Sequence, residues 1–353
     1  MQLAGLAAEQ MRHGHAVEII TAMPGDPWLD GIRVHRLPGF RIPLAGVTAS
    51  TRQFAELRAT LGSRQFDVVH VHSGIIAPLA YGAARIAASA GLPAVFTFHS
   101  IYDYLRPALR ALGWIGAARD LPIVWSAVSR FVARETRETL GLREVLVLPN
   151  GIDIDAWRRH EPTRFDGELR VVSVMRLHPR KRARALFTIV DRAQRMAGPD
   201  VKISLDIVGD GVERPAIERL ARERAGQVRL HGWLERDAIA RLLAQSHVFL
   251  LPTRMESFGI AALEAMSAGL PVLARRDTGV EDFVIDGENG LLGRSDDDLA
   301  KALARLAGDG DLRASIAARN RSGRPPYAWP EVAAQVEAAY ASAIPLQPGA
   351  AAR

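Results

Sequence analysis

The chain has 353 residues, 48% of them hydrophobic and 24% charged, which is a globular composition and more length than one ordinary core requires. It contains no cysteine, which excludes disulfides, thiolate metal sites and a cysteine nucleophile, and no apolar run approaches the roughly 18 residues of a membrane span. The net charge of +6 comes mainly from scattered arginines, which argues against a nucleic-acid surface and suits anionic substrates or an anionic membrane.

The N-terminus has no basic region ahead of its short apolar stretch, so the sequence contains no recognisable secretory signal. Together with the lack of cysteine, this predicts a cytoplasmic protein. The positive charge also allows peripheral contact with the inner face of the cell membrane.

In the first half of the chain, short β-rich runs alternate with helical stretches. Helices are predicted at 2–13, near 50–63, at 73–91 and near 130–140. Strands are predicted at 16–22, near 32–37, and at 66–72, 92–100, 121–129 and 144–151. A doubly wound sheet normally begins with a strand that lies in its middle, whereas this chain begins with a helix. We therefore expect the first strand of this domain to be missing, which would leave a gap in the sheet.

The second half repeats the same alternation of strands and helices. Strands are predicted at 169–177, 201–211, 227–233, 247–252 and 270–276. Helices are predicted at 181–197, 213–224, 235–245 and 258–268. The apolar runs are continuous rather than alternating, which indicates parallel strands that are buried on both faces.

Two series of βα repeats predict an α/β fold with two doubly wound, Rossmann-like domains facing each other across a cleft. We expect an N-terminal domain at 1–150 and a second domain at 151–325, with the break at 148–157, where proline and glycine interrupt the pattern. Within 326–353, a helix at 329–344 is expected to return to the N-terminal domain, followed by a frayed tail.

The stretch "RMESFGIAALEAM" follows a predicted strand, so Glu256 falls in a strand-to-helix loop at the ligand-binding edge of the sheet. Ser257 is a candidate helix N-cap. Phe258, Gly259 and Ile260 would then offer free backbone N–H groups to an anion, supported by the helix dipole. The sequence therefore predicts an anion site at the start of this helix.

Glu264 follows Glu256 by eight residues, which separates their backbones by roughly 12 Å on a helix. Carboxylate pairs that hydrolyse a glycosidic bond are closer, about 5–9.5 Å apart. The spacing favours two acids that bind the two ends of one long ligand. The alternative is a capping acid and an exposed helix glutamate without a ligand.

Two further strand ends contain candidate ligand contacts. In "VMRLHPRKR", Arg176 and Lys181 place two cations beside a helix start, an arrangement that suits a pyrophosphate; the alternative is a pair of solvated loop charges. In "IVGDG", Gly209 and Gly211 would allow a ligand to approach the backbone closely.

Taken together, these segments resemble glycosyltransferase family 4, the group 1 glycosyl transferases with the GT-B fold. The resemblance covers almost the whole chain, and its most specific part is the Glu-x7-Glu element within 249–292. The matching segments run in family order: "TFHS", "AVSRF", "LPNGID", "VMRLHPRKR", "IVGDG", "VRLHGWL", "FLLPTRMESFGIAALEAMSAGLPVLA" and "VIDGENGLL".

The resemblance implies a role for each matching residue of the donor site. Glu256 corresponds to the glutamate that holds the hydroxyls of the donor sugar, and Glu264 to the one that binds the ribose of the nucleotide. Arg176 and Lys181 correspond to the pair that neutralises the departing diphosphate.

The remaining matches surround these four. Phe258 and Gly259 correspond to backbone donors at the helix start, and Trp233 lies in a loop expected to abut the nucleobase. His99 corresponds to a histidine on the first-domain side of the cleft, near the reacting sugar. In isolation, a histidine at this position is more often a packed residue at a strand end.

The resemblance implies retention of anomeric configuration, with same-face attack by the acceptor and help from the leaving phosphate in deprotonating it. It implies no cofactor and no metal, because the arginine–lysine pair replaces the cation. Three Asp-x-Asp spacings occur, but none follows a strand at the expected donor site.

The chain departs from the family pattern at three positions beside this site. Arg182 stands where a glycine is usual after the lysine and adds a cation. Thr278 replaces a glycine near the phosphates, and Asp282 replaces a glutamate. Relatives also usually begin earlier, with the strand that is expected to be missing here.

Three hypotheses about function remain at this stage. The leading one is a retaining transferase that moves a sugar from a GDP- or UDP-sugar to an alcohol acceptor, which is a lipid, a glycan or a secondary metabolite. The alternatives are a non-catalytic or truncated relative and a sugar-nucleotide epimerase. GDP-mannose, UDP-glucose and UDP-N-acetylglucosamine all suit the scaffold, and the oligomeric state is left open.

A basic amphipathic segment in the first domain, residues 102–120, offers a contact with an anionic membrane and a lipid-linked acceptor. The alternative is an ordinary helix covering the domain. The apolar positions of this segment are Leu105, Leu109, Leu112, Trp114 and Ile115.

Overall fold

The computed structural model describes residues 2–37, 39, 41–42, 47–48, 50–63, 66–74, 77–101 and 120–346. The chain divides into two compact units. The first consists of residues 1–151 and 327–353, and the second of residues 152–326. Most of the membrane-contact segment predicted at 102–120, and the tail after residue 346, lie outside the described residues.

The first unit has helices and strands at most of the predicted places. Its helices before residue 151 are α1 (Gln2–Arg12), α2 (Thr51–Gly62), α3 (Pro78–Ser89) and α4 (Arg130–Leu140). Its strands are β1 (Glu18–Thr21), β2 (Trp28–Leu29), β3 (Ile32–Arg36), β4 (Arg41–Ile42), β5 (Val47–Thr48), β6 (Val69–Ser73), β7 (Ala94–Phe98), β8 (Val124–Ala127) and β9 (Leu146–Val147). The predicted helix at 73–91 begins only at Pro78, a residue that suits the first turn of a helix because its missing N–H has no partner there.

Within the described ranges, the strands of the first unit form three sheets, the smallest of which pairs β4 with β5. Another has the order β1–β3–β2, and the third is the parallel sheet β6–β7–β8–β9. Ile20 of β1 and Val69 of β6 pack against the same buried cluster, which includes Leu57 and Ile86. Strands β1 and β6 therefore contribute to one hydrophobic cluster, although they belong to different sheets and do not pair with each other.

The second unit contains one parallel sheet with helices on it. Its helices are α5 (Ile154–Trp157), α6 (Ala183–Ala197), α7 (Arg214–Arg222), α8 (Arg236–Ala244), α9 (Ile260–Ser267), α10 (Asp296–Gly308) and α11 (Gly310–Ser322). Its strands are β10 (Glu168–Val174), β11 (Lys202–Val208), β12 (Val228–Gly232), β13 (Val248–Leu251), β14 (Val272–Arg275) and β15 (Gly290–Gly293). All residues of β13 and β14 are buried, as their unbroken apolar sequence predicts.

The strand order of this sheet is β12–β11–β10–β13–β14–β15. The order reverses between β10 and β13, so the loops that follow these two strands flank the crevice where open α/β sheets bind ligands. These loops contain Arg176 and Lys181 after β10 and Glu256 after β13. Strand β15 and helices α10 and α11 were not predicted from the sequence. Ser295 and Asp298 form a capping box at the start of α10, which is a signal that could have predicted that helix.

The last helix, α12 (Trp329–Ala343), belongs to the first unit. Val332 and Val336 of this helix are buried in one cluster with Val95 of β7 and Val124 of β8. The helix therefore covers the parallel sheet of the first unit. No helix among the described residues is both long and apolar enough to cross a membrane.

Candidate active site

The switch point of the second unit holds an ion pair between two of the predicted site residues. Lys181 Nζ lies 2.6 Å from Glu256 Oε2, although the residues are 75 positions apart in the sequence. The Glu256 side chain is 11% exposed and the Lys181 side chain 33%. Lys181 belongs to a 3-10 turn, Pro179–Lys181, and Thr253 donates a hydrogen bond to its carbonyl at 3.3 Å. The fold thus places a carboxylate and a cation on one edge of the sheet.

Helix α9 begins at Ile260, and its N-cap is Gly259 rather than the predicted Ser257. Gly259 has φ +91°, a left-handed conformation that glycine adopts readily, and an added Cβ would lie 2.7 Å from Val280. The sequence suggested Ser257 because of its side chain, but this tight turn selects a residue without one. The Ala262 and Leu263 N–H groups donate to the Gly259 carbonyl, at 2.9 and 3.0 Å, so the N–H groups that remain for an anion lie before Ala262. Which of them would contact the donor stays a prediction.

A second loop packs against the one that carries Glu256. The Gly279 N–H donates to the Glu256 carbonyl at 2.8 Å, and a Cβ at Gly279 would come within 2.0 Å of the Ser257 carbonyl. Phe258 is 2% exposed, with its ring 5.5 Å from that of Phe283. These contacts hold the backbone between β13 and α9 in place.

Two more cations after β10, Arg176 and Arg182, differ in their surroundings. Arg176 is exposed and has no acidic partner within the residues that the structure describes. Arg182 lies in the left-handed region at φ +59°, and its guanidinium binds both carboxylate oxygens of Asp296, at 2.9 and 2.7 Å, and the Pro252 carbonyl. The extra charge noted at position 182 is therefore neutralised by Asp296, which the sequence indicated only as a surface acid of the Asp296/Asp298 spacing.

The sequence suggested that Gly209 and Gly211 allow a ligand to approach the backbone. The structure gives a different reason why both positions are glycine. Both have positive φ, and an added Cβ would lie 1.8 Å from the Met175 carbonyl oxygen at Gly209 and 2.4 Å from the Leu177 carbonyl oxygen at Gly211. The neighbouring β10 loop therefore requires glycine at both positions. Whether Gly209 also touches the donor stays a prediction.

Glu264 and Trp233 were predicted to bind the nucleoside. Trp233 follows Gly232, at the end of β12, and 70% of it is exposed, which leaves an indole face for stacking. Glu264 lies in the second turn of α9, and burial raises the pKa of its carboxyl to about 7 against the opposing effect of the Arg236 guanidinium. The ionisation of Glu264 therefore changes near neutral pH.

The remaining predicted residue, His99, lies in the first unit directly after β7. Its Nε2 is 2.9 Å from Nδ1 of His72, a residue of β6 that the sequence did not single out. The signal that could have found it is the alternating "HVHS" of β6, which places His70 and His72 on the same face of the strand.

No cluster of three or more histidine, aspartate or glutamate side chains within the described part of the chain is arranged to hold a metal ion. The Asp-x-Asp pair Asp153/Asp155 has structural contacts, with Asp153 capping α5 and Asp155 bound by Arg324. Independence from metal remains an expectation.

The second unit is an open parallel α/β sheet with charged residues at its switch point, where proteins of this class bind their ligands. Residues 155–323 match the family model described as glycosyl transferases group 1, and residues 2–156 match glycosyltransferase family 4. The chain belongs to this family and is a glycosyltransferase.

Two relatives align with most of the chain. A D-inositol 3-phosphate glycosyltransferase of Xylanimonas cellulosilytica is 29% identical, covering 92% of this chain and 82% of the relative. A GDP-mannose-dependent alpha-(1-6)-phosphatidylinositol monomannoside mannosyltransferase of Mycobacterium tuberculosis is 30% identical, covering 82% and 78%.

Two solved structures are similar in fold. Anabaena HepE in complex with UDP-glucose has a TM-score of 0.75 at 19% identity, covering 97% of this chain and 95% of its own. WaaG, a glycosyltransferase involved in lipopolysaccharide biosynthesis, has a TM-score of 0.72 at 18% identity, covering 95% and 94%. The predicted GT-B fold with two Rossmann-like domains is confirmed.

The raised pKa of Glu264 predicts how stability depends on pH. An acid with a folded-state pKa of about 7 and an unfolded value near 4.5 keeps its proton longer in the folded state, so stability is lost as pH rises from about 5 to about 8. We expect Glu264→Gln to remove this loss. Its melting temperature should equal that of the wild type at pH 5 and exceed it by about 3 °C at pH 8.

The exposed Glu235 supplies the control, because Glu235→Gln removes a carboxylate of the same unit that lies in solvent rather than in the interior. Thermal scans of the three proteins at pH 5, 6.5 and 8 make the comparison. A Glu264→Gln difference that does not depend on pH would contradict the raised pKa.

Proposed function

We propose that this glycosyltransferase is a retaining enzyme that transfers a sugar from a nucleotide diphosphate sugar to an alcohol acceptor. The observation that carries the proposal is the Lys181–Glu256 contact of 2.6 Å at the switch point, beside the start of α9. A donor contains a diphosphate, which suits the Lys181 cation, and sugar hydroxyls, which suit the Glu256 carboxylate.

The charges of the reaction match these groups. Breaking the sugar–phosphate bond develops positive charge on the sugar and negative charge on the diphosphate. Lys181, Arg176 and the N–H groups at the start of α9 would stabilise the departing diphosphate where its charge develops. Glu256 would accept hydrogen bonds from the sugar hydroxyls, and Glu264 from those of the ribose.

The family resemblance supports retention of configuration, and the resemblance and these cations together support independence from metal. The acceptor would attack the sugar from the face that the diphosphate leaves, with a phosphate oxygen taking the acceptor proton. The arginine–lysine pair would supply the positive charge that a divalent ion provides elsewhere. An α-linked product from an α-linked donor, formed at an unchanged rate in EDTA, is the expected result.

For the donor we propose GDP-mannose, UDP-glucose or UDP-N-acetylglucosamine. The names of the two relatives point to inositol-bearing acceptors, one an inositol phosphate and the other a lipid. We propose an alcohol acceptor and would first compare these two forms. A lipid acceptor would agree with a cytoplasmic enzyme that contacts the membrane peripherally, for which the segment at 102–120 is the candidate.

Calorimetric titration with GDP, UDP and ADP tests the nucleotide site directly. We expect one nucleoside diphosphate to bind with 1:1 stoichiometry and more weakly in Lys181→Met. Radiolabelled donors of the matching nucleotide should then transfer sugar to an alcohol acceptor. Nucleotide binding without transfer would support the non-catalytic alternative, and conversion of the donor without an acceptor would support an epimerase.

A further inference from the structure

Three histidines lie close together in the first unit, on β6 and at the end of β7. The ring centroids of His70 and His72 are 4.1 Å apart, and those of His72 and His99 are 5.1 Å apart. The family resemblance identified only His99. The contacts of the other two histidines show how the ring of His99 is held.

His70 belongs to a chain of hydrogen bonds with a single direction. Ser126 Oγ donates to the Phe96 carbonyl, so the 2.7 Å contact between Ser126 Oγ and Thr97 Oγ1 leaves Thr97 as the donor. Thr97 Oγ1 must then accept from His70 Nε2, which is 2.7 Å away. His70 is thereby fixed as the tautomer with its proton on Nε2.

The other end of the chain agrees with this assignment. Gln10 Nε2 donates to the Tyr340 hydroxyl at 2.8 Å, and that hydroxyl donates in turn to Nδ1 of His70 at 2.9 Å. Burial raises the pKa of Tyr340 to about 12, so the hydroxyl keeps its proton. Helices α1 and α12 thus fix the His70 ring, and the His72 ring packs against it at an interplanar angle of 31°.

The contact between His72 Nδ1 and His99 Nε2, at 2.9 Å, requires one proton between two neutral rings. Burial lowers the pKa of His99 to about 4 and that of His72 well below its usual value, so both rings are neutral near pH 7. If His72 donates, the proton of His99 is on Nδ1. If His99 donates, its Nδ1 is an acceptor. The state of one ring therefore determines the state of the other.

We propose that His72 is a positioning residue for His99, holding its ring in one orientation and coupling its tautomer to that of His72, so that Nδ1 is the atom it presents to the reacting sugar. Within the described residues, Nδ1 of His99 makes no hydrogen bond, whereas Nε2 is occupied by His72. This inference rests on the proposed function, in which His99 contacts the donor sugar. It adds a residue that the family resemblance did not identify.

Two substitutions of His72 separate the hydrogen bond from the packing. His72→Phe keeps the ring but loses Nδ1, and we expect it to lower kcat about tenfold, the effect of one lost hydrogen bond. His72→Asn keeps a polar atom near the position of Nδ1 and should retain at least about a third of kcat. The Kd for the nucleoside diphosphate should stay within about twofold in both variants, because nucleotide binding does not involve His99.

His247 supplies the matched control. It is a buried histidine of the second unit whose Nδ1 accepts from the Arg170 N–H at 3.0 Å. The same two substitutions at position 247 should change the melting temperature without the roughly tenfold fall in kcat expected of His72→Phe. An equal loss of kcat in the Phe variants at positions 72 and 247 would mean a general loss of stability and would overturn the proposal.

Selective ¹⁵N labelling of histidine tests the tautomer without relying on activity. We expect the His72 and His99 rings of the wild type to have the same tautomer, both Nδ1–H or both Nε2–H, and the tautomer equilibrium of His99 to change in His72→Phe. Different tautomers on the two rings of the wild type, or an unchanged His99 spectrum in the variant, would overturn the proposal. The ¹⁵N spectrum of the wild type tests the proposal even if His72→Phe does not fold.

His99→Ala distinguishes a failure of this inference from a failure of the proposed function. Full activity in His99→Ala would remove the role of His99 on which the inference rests. A strong loss in His99→Ala with none in His72→Phe would leave the proposed function intact and refute the role of His72. If both are impaired, the double variant should be no slower than His99→Ala alone, because the two residues act as a unit.

Discussion

Glu256→Gln is expected to lower kcat by about 10²–10³-fold, the effect of removing one preorganised polar group from a reacting centre. The same substitution should leave affinity for the free nucleoside diphosphate unchanged or increase it. The physical reason is the 2.6 Å contact between Glu256 Oε2 and Lys181 Nζ, in which the carboxylate competes with the diphosphate for the cation. Steady-state kinetics and calorimetry with UDP or GDP measure the two effects separately.

Lys181→Met completes the comparison, since it should lower both kcat and nucleotide affinity. Glu213→Gln is the matched control: Glu213 is a buried glutamate of the same unit, and its Oε1 accepts from Arg184 Nε at 2.7 Å. We expect no effect on kcat beyond about twofold from that variant. A fall in nucleotide affinity in Glu256→Gln as large as the fall in Lys181→Met would argue against the competition.

Gly209→Ala is expected to destabilise the second unit by on the order of 3 kcal/mol or more. The new Cβ would lie 1.8 Å from the Met175 carbonyl oxygen, in a backbone conformation with φ +135° that a residue with a side chain rarely adopts. The β10 loop that carries Arg176 and Lys181 would have to move. Urea denaturation monitored by fluorescence, with thermal scans alongside, gives the size of the effect.

Gly226→Ala isolates the contribution of the backbone conformation alone. Gly226 has φ +86°, but a Cβ added there would have no atom within 4 Å, so its substitution should cost only about 1 kcal/mol. Equal effects at the two glycines would show that the Met175 contact is unimportant. Unchanged stability in Gly209→Ala together with weakened nucleotide binding would instead favour direct contact between Gly209 and the donor.

The sequence was sufficient to predict the alternation of strands and helices, because buried parallel strands have unbroken apolar runs such as those of β13 and β14. It also indicated which loops carry charge at strand ends. It was less reliable at helix starts: Ser257 has a side chain typical of an N-cap, yet Gly259 occupies that position. Local preference was outweighed there by the close packing of Val280.

Residue chemistry at particular positions also depended on neighbours that are distant in the chain. From the sequence alone Arg182 is expected to be a free cation, but in the structure it binds Asp296, 114 positions later. From the sequence alone Gly209 is expected to face a ligand, but in the structure the Met175 carbonyl lies beside it and leaves no room for a side chain. His72 gave no signal of its own beyond the alternation of β6.

The sequence alone therefore determined the fold class, the family resemblance and the set of charged residues at the strand ends, because each depends on local patterns of apolar, glycine and charged residues. Only the tertiary structure decided which of those residues form pairs. The contact of Lys181 with Glu256, and that of His72 with His99, each joins loops or strands separated by other elements. Such contacts depend on strand order and register, and the distances between side chains follow only once the sheets are assembled.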